Sequence, residues 1–154
     1  MKKLRTLMLL FLLIQEGNSF SQQIFEHITT SHGLSNNVVN SILQDREGFY
    51  WIGTIDGLNR FDGSDFRIFR NEKNSSHSLA HNLCNDLLED KEGNIWIATY
   101  NGISVYKRNE GRFQNIYLQH PGIKPDILNR ISFLAKDGDE NIWIGGKLLC
   151  QYNK

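Results

Sequence analysis

Helical periodicity of useful length is missing after the first twenty residues of this 154-residue chain, so helix bundles have no sequence support. Cysteine is scarce. Cys84 and Cys150 are the two present, too few for a disulfide framework. Both stand where a core would take a small hydrophobe, and both read as buried free thiols. No basic run or stripe occurs, which argues against a nucleic-acid partner. No apolar segment after the N-terminus is long enough to cross a membrane. Nucleophile elbows, phosphate-binding glycine loops and dinucleotide fingerprints are absent as well. Of His27, His32, His77, His81 and His120, only His77 and His81 have i, i+4 spacing. They fall in a loop-like stretch, Ser75 to His81, and read as solvated. The expectation is no cofactor, no metal and no catalytic residue.

What is present begins with an export signal. Met1 to Arg5 is basic, Leu7 to Ile14 is almost unbroken apolar, and Ser19 and Ser21 place small residues where a signal peptidase reads. Eight apolar residues are too few to span the ~30 Å of a bilayer core. Residues 1–21 are therefore expected to be a cleaved signal peptide, which implies a periplasmic location. Without Lys2, Lys3, Arg5 and Glu16, the 17 basic and 17 acidic residues become 14 and 16, a net charge of −2.

The three tryptophans each close the same phrase. Asp45, Gly48 and Trp51 recur as Asp90, Gly93 and Trp96, and again as Asp137 and Trp143, where Glu140 replaces the turn glycine. The Asp precedes the Trp by six residues each time, and the copies are 45 and then 47 residues apart. Such a period marks a repeat architecture. Each copy divides into short strands separated by turn signals, among them Asp56-Gly57 and Asn101-Gly102. Strands are expected at 38–43, 50–54, 58–61 and 66–69, then at 83–88, 95–99, 103–106 and 113–117, then at 130–135 and 142–146. Apolar residues of both parities in the first strands predict burial on both faces.

Four antiparallel strands every 45 or so residues make one blade of a β-propeller. The fold class is therefore all-β, with about three blades in an incomplete ring over residues 22–154. Blade one covers about 37–70, blade two about 82–117, and blade three about 129–154. Residues 24–28 look like a fourth strand that precedes any first strand. They are expected to complete the last blade of a ring.

The phrase Gly33-Leu34-Ser35-Asn36-Asn37-Val38-Val39-Asn40-Ser41-Ile42-Leu43-Gln44-Asp45, followed by Gly48, Trp51-Ile52-Gly53-Thr54 and Gly57-Leu58-Asn59-Arg60-Phe61, resembles the two-component regulator propeller repeat. The resemblance runs over residues 24–152. It implies the periplasmic sensor of a hybrid two-component system, whose ligand is an oligosaccharide released from a complex glycan and whose output is transcription. It also implies the remaining propeller blades of the same protein as partners, and a homodimer in the full-length family. No kinase, receiver or transmembrane helix is in this sequence, so the chain is expected to be an N-terminal piece, non-enzymatic by itself.

Repetition argues that Asp45, Asp90 and Asp137 shape turns, because catalytic acids are seldom repeated. Recognition would fall to the loops from fourth to first strand and from second to third strand, which share one end of a propeller. They carry Asn36, Asn37, Asp56, His81, Asn82, Tyr100, Asn101, Asn129 and Arg130, amide, aromatic and charged groups suited to sugar hydroxyls. The alternatives are an exported propeller enzyme acting on glycans, a lyase or glycosidase, and a protein-binding propeller scaffold.

Overall fold

The computed structural model describes residues 25–152. The predicted signal peptide lies outside the described residues, as do Ile24, Asn153 and Lys154. Three antiparallel sheets follow one another along the chain, each in sequential strand order. Blade one consists of β1 (Val39–Gln44), β2 (Tyr50–Thr54), β3 (Gly57–Phe61) and β4 (Phe66–Phe69). Blade two consists of β5 (Cys84–Glu89), β6 (Ile95–Thr99), β7 (Gly102–Lys107) and β8 (Arg112–Ile116). Blade three has β9 (Phe133–Lys136), β10 (Ile142–Gly145) and β11 (Leu149–Tyr152). The helical residues among those described are a 3-10 turn at Thr30–His32 and a single turn, α1 (Pro125–Leu128).

The first strands start one to three residues later than expected, at Val39, Cys84 and Phe133, and the first two carry a bulge. Register shifts at Asn40 in β1 and at Asn85 in β5, where an extra residue bends the strand. The displaced side chains reach the next blade. Asn40 Nδ2 donates to the Cys84 carbonyl at 2.9 Å, and Asn85 Nδ2 to the Ile131 carbonyl at 2.6 Å. One residue on, Ser41 Oγ donates to Asp86 Oδ1 at 3.1 Å, while Asp86 Oδ2 accepts the Leu134 N–H at 2.8 Å. The innermost strands are thereby tied from blade to blade by polar side chains.

Two apolar cores fill the gaps between sheets. Trp51, Leu58 and Leu79 meet Leu87, Ile95, Tyr106 and Phe113 between blades one and two. Trp96, Ile103 and Val105 meet Ile131, Leu134, Ile142 and Ile144 between blades two and three. Gly53 lets the next blade approach, since a Cβ there would lie 3.2 Å from the Cys84 Cβ. Burial drives the Cys84 thiol up to about 12, so it stays protonated as a packing group. Expected burial on both faces of the first strands fails at the two ends. Ile42 is 63% exposed and Phe133 48%, because each of these strands has a described neighbouring blade on one side alone.

Blade three keeps its turn without glycine. Gly48 and Gly93 sit at φ 92° and 83°, and Glu140 occupies the same place at φ 67°. An L-residue held there costs about 1–2 kcal/mol. An exposed pair, Lys136 Nζ to Glu140 Oε2 at 2.8 Å, offsets part of this. Glu140→Gly is expected to raise stability by about 0.5 kcal/mol after the extra freedom of glycine in the unfolded chain is counted. The readout is a small rise in the urea midpoint. A fall would mean that the Lys136 pair outweighs the backbone strain.

Candidate functional site

The two ends of the blades differ in chemistry. At the end that holds the repeated turns, each Asp is fully engaged. Asp45 Oδ1 accepts the N–H groups of Glu47 and Phe49, both at 3.0 Å, and Oδ2 accepts the Trp51 indole N–H at 2.7 Å. Asp90 and Asp137 accept Trp96 and Trp143 in the same way, each at 2.9 Å. The six-residue spacing is what brings a carboxylate at the end of one strand under an indole on the next. Arg108 then crosses from blade two to Asp45 Oδ2 at 2.8 Å and to Glu47 Oε2 at 2.5 Å. Arg46 crosses the other way, to Glu89 at 2.7 Å and to the carbonyls of Asp90 and Lys91. Burial opposes ionisation of Asp45, yet the Trp51, Arg108 and Phe49 donors outweigh it and hold the carboxyl below its usual range. At Asp137 the Trp143 indole and the Asn141 amide lead the same effect. Acids saturated with donors are poor proton donors and poor nucleophiles.

At the opposite end the predicted residues fall into two groups. Asn37, Asn82 and Asn129 repeat one device. Their Oδ1 atoms accept the N–H of Thr30, Asn71 and Leu118 at 2.9, 2.7 and 2.7 Å. The carbonyls of Asn82 and Asn129 accept the N–H of Gly57 and Gly102. Those glycines are obligatory, at φ 123° and 102° with carbonyls 2.7 and 2.9 Å from where a Cβ would stand. Asp56 is also occupied, by Arg70 at 3.1 Å and by Asn82 Nδ2 at 3.2 Å. Asn36 caps its own loop through the Val38 N–H at 2.9 Å. Asn101 is exposed at the tip of its turn.

The second group is a cluster. The His81 ring lies 5.5 Å from the Tyr100 ring, and the Arg130 guanidinium lies over Tyr100 at 4.8 Å. His81 Nδ1 accepts the Leu83 N–H at 3.0 Å, which leaves Nε2 as the proton-bearing nitrogen of the neutral ring. Arg130 is steadied by its Nε–H bond to the Asp126 carbonyl at 3.1 Å. Tyr100 stays 40% exposed. A groove of ≈ 800 Å³ opens at the same end, lined by Asn101, Tyr117, His120, Asp126 and Leu128. Its size falls within the usual range for small ligands. Tyr117 and His120 were not among the predicted site residues. The long β8–β9 connection with its two prolines was the available signal for them.

Residues 33–56 and 78–101 match the family model described as two component regulator propeller. Over 61 residues the chain is 46% identical to histidine kinase P4 of Formosa agariphila, a stretch that is 40% of this chain and 4% of that protein. An extracellular domain assigned to a hybrid two-component system of Bacteroides thetaiotaomicron superposes with a TM-score of 0.67 at 33% identity. That likeness covers 77% of this chain and 17% of the other. Virginiamycin B lyase of Staphylococcus aureus, at 13% identity, shares the fold alone, with a TM-score of 0.53 over 76% of this chain and 41% of the lyase. With two matched repeats, three sequential antiparallel sheets and this likeness to a sensor domain, the chain carries two-component regulator propeller repeats.

Proposed function

We propose that this chain contributes blades to an exported, ligand-sensing propeller of a two-component regulator, and that the ligand is a glycan-derived oligosaccharide held at the loop end. The observation that carries the reading is the His81–Tyr100–Arg130 cluster. It stands where the copies differ. The position of His81 is Asn36 in blade one and Leu128 in blade three, and that of Arg130 is Val38 in blade one and Leu83 in blade two. Elsewhere in the loops the copies repeat the same capping bonds. A site that must choose one ligand has to break the repeat, and this is where the repeat breaks. Tyr100 supplies an apolar platform, His81 Nε2 and the Arg130 guanidinium supply donors, and Asn101 adds an amide.

The test is calorimetric titration of the protein, as its gene encodes it, against a panel of neutral and acidic oligosaccharides of graded length. At least one is expected to bind, and Tyr100→Ala is expected to weaken it tenfold or more, the behaviour of a central aromatic contact. Full retention of affinity in Tyr100→Ala and in Arg130→Ala would move the site elsewhere. Failure of the whole panel to bind would overturn the oligosaccharide reading.

A further inference from the structure

We infer that the ligand carries an acidic group, a carboxylate or a sulfate ester on a sugar ring, and that Arg130 receives it with Lys147 beside it. The inference rests on the reading of the loop end as the ligand site, and it names the class of oligosaccharide which that end selects.

The two ends of the blades differ in charge. The connections between strands at the end of the repeated turns carry ten Asp and Glu against three Lys and Arg. Those at the loop end carry Asp56, Glu72 and Asp126 against Arg70, Lys73, Lys124, Arg130 and Lys147. The full sequence is neutral, so its charge is divided between the ends. A cleft end of one sign raises the local concentration of ions of the other.

The excess at the loop end falls on two residues. Arg70 is spent on Asp56, at 3.1 Å. Glu72 precedes Lys73, and Asp126 follows Lys124 by two residues, so these charges offset each other. Arg130 and Lys147 have no carboxylate partner among the described residues. The fold brings the two together. The β10–β11 turn lies so close to Arg130 that a Cβ on Gly146 would stand 2.6 Å from the Arg130 carbonyl oxygen. Lys147 is the next residue and is exposed at the tip of that turn. The corresponding turns of blades one and two carry Asp56 and Asn101 at their tips. Blade three thus puts a cation where its counterparts have an acid or an amide.

The Arg130 guanidinium is also held ready. Its Nε–H bond to the Asp126 carbonyl and its position over the Tyr100 ring fix the plane of the group. Nη1 and Nη2 have no hydrogen-bond partner among the described residues. A planar pair of N–H donors matches two oxygens of a carboxylate or sulfate. Because the side chain is already ordered, little rotamer freedom is lost on binding. Lys147 adds a point charge and His81 Nε2–H a further donor, while Tyr100 lies under the same group.

The test is calorimetric titration of the protein, as its gene encodes it, against matched pairs of tetrasaccharides. One set pairs uronic acid tetrasaccharides with their carboxyl-reduced neutral forms, and the other pairs sulfated tetrasaccharides with their desulfated forms. The acidic member of at least one pair is expected to bind about tenfold tighter or more, and the set in which it does so identifies the group. That advantage should shrink as salt rises from about 50 to about 500 mM, where charges in contact with solvent are screened. Arg130→Gln is expected to bind both members of the pair alike, whereas Arg130→Lys keeps part of the preference. Lys147→Gln should lower the preference by a smaller factor. Both side chains are exposed, and circular dichroism checks that each variant keeps its sheets. Equal binding of acidic and neutral forms by the wild type would overturn this inference and leave the oligosaccharide reading standing. A preference that survives Arg130→Gln would overturn the role given to Arg130. Failure of every tetrasaccharide to bind would overturn both readings together.

Discussion

Asp45→Ala is expected to cost about 3–5 kcal/mol, the range for breaking a buried charge pair by removing one partner. One carboxylate here serves four donors: the N–H groups of Glu47 and Phe49, the Trp51 indole and Arg108. Its removal leaves a buried indole N–H without an acceptor and two turn amides unheld. It also leaves Arg108, which reaches in from the neighbouring blade, with only Glu47, Glu89 and the Gly93 carbonyl as partners for its side chain. Urea denaturation followed by tryptophan fluorescence measures the loss. Asp137→Ala should cost clearly less, because that turn is more open and no arginine bridges it among the described residues.

The same carboxylate predicts an acid response. Its folded value lies below the ordinary 3.8, so the folded state binds the Asp45 proton less readily than the unfolded chain does. The stabilisation is complete above the unfolded value and is lost as pH falls from about 5 through 3.8 and past the lowered folded value. Asp45→Asn should flatten that part of the stability profile. An unchanged acid limb would mean that other carboxylates carry the acid sensitivity.

The sequence made the sheets easy to place and the contacts between them hard to see. Strands β2, β4 and β6 fall where the pattern and turn residues put them, since an Asp-Gly or Asn-Gly turn (Asp56-Gly57, Asp62-Gly63, Asn101-Gly102) fixes one end of each. The bulges at Asn40 and Asn85 left no mark in the apolar pattern. The side chains displaced there bond a chain segment some 45 residues later, and periodicity carries no information at that range. The Asp–Trp spacing was plain, but its meaning needed the hairpin to be folded. Arg108, 63 residues from Asp45, looks like any surface arginine in the sequence. At the loop end, residue type suggested nine recognition candidates, and type alone could not divide them. Asn37, Asn82 and Asn129 spend their amide oxygens on backbone N–H groups, whereas His81, Tyr100 and Arg130 converge on one ring. Which amide serves a loop and which is offered to a ligand is a matter of geometry.

Trp96→Ala is expected to destabilise the chain by about 3–5 kcal/mol, the range for deleting a buried indole. Trp96 is 2% exposed, stands in the core between blades two and three, and meets Tyr152 with ring centroids 5.0 Å apart. Its loss opens a cavity between two sheets and withdraws one donor from Asp90. Neighbouring repeats stabilise each other through such interfaces, so blade three should melt first and the transition should broaden. Trp96→Phe separates the two contributions, keeping most of the apolar volume while deleting the N–H. The identical change at Trp143 provides the contrast. That side chain makes the same bond to its Asp but is only partly buried, so Trp143→Ala should cost much less than Trp96→Ala. Equal losses in urea denaturation would mean that Trp143 is as well packed as Trp96.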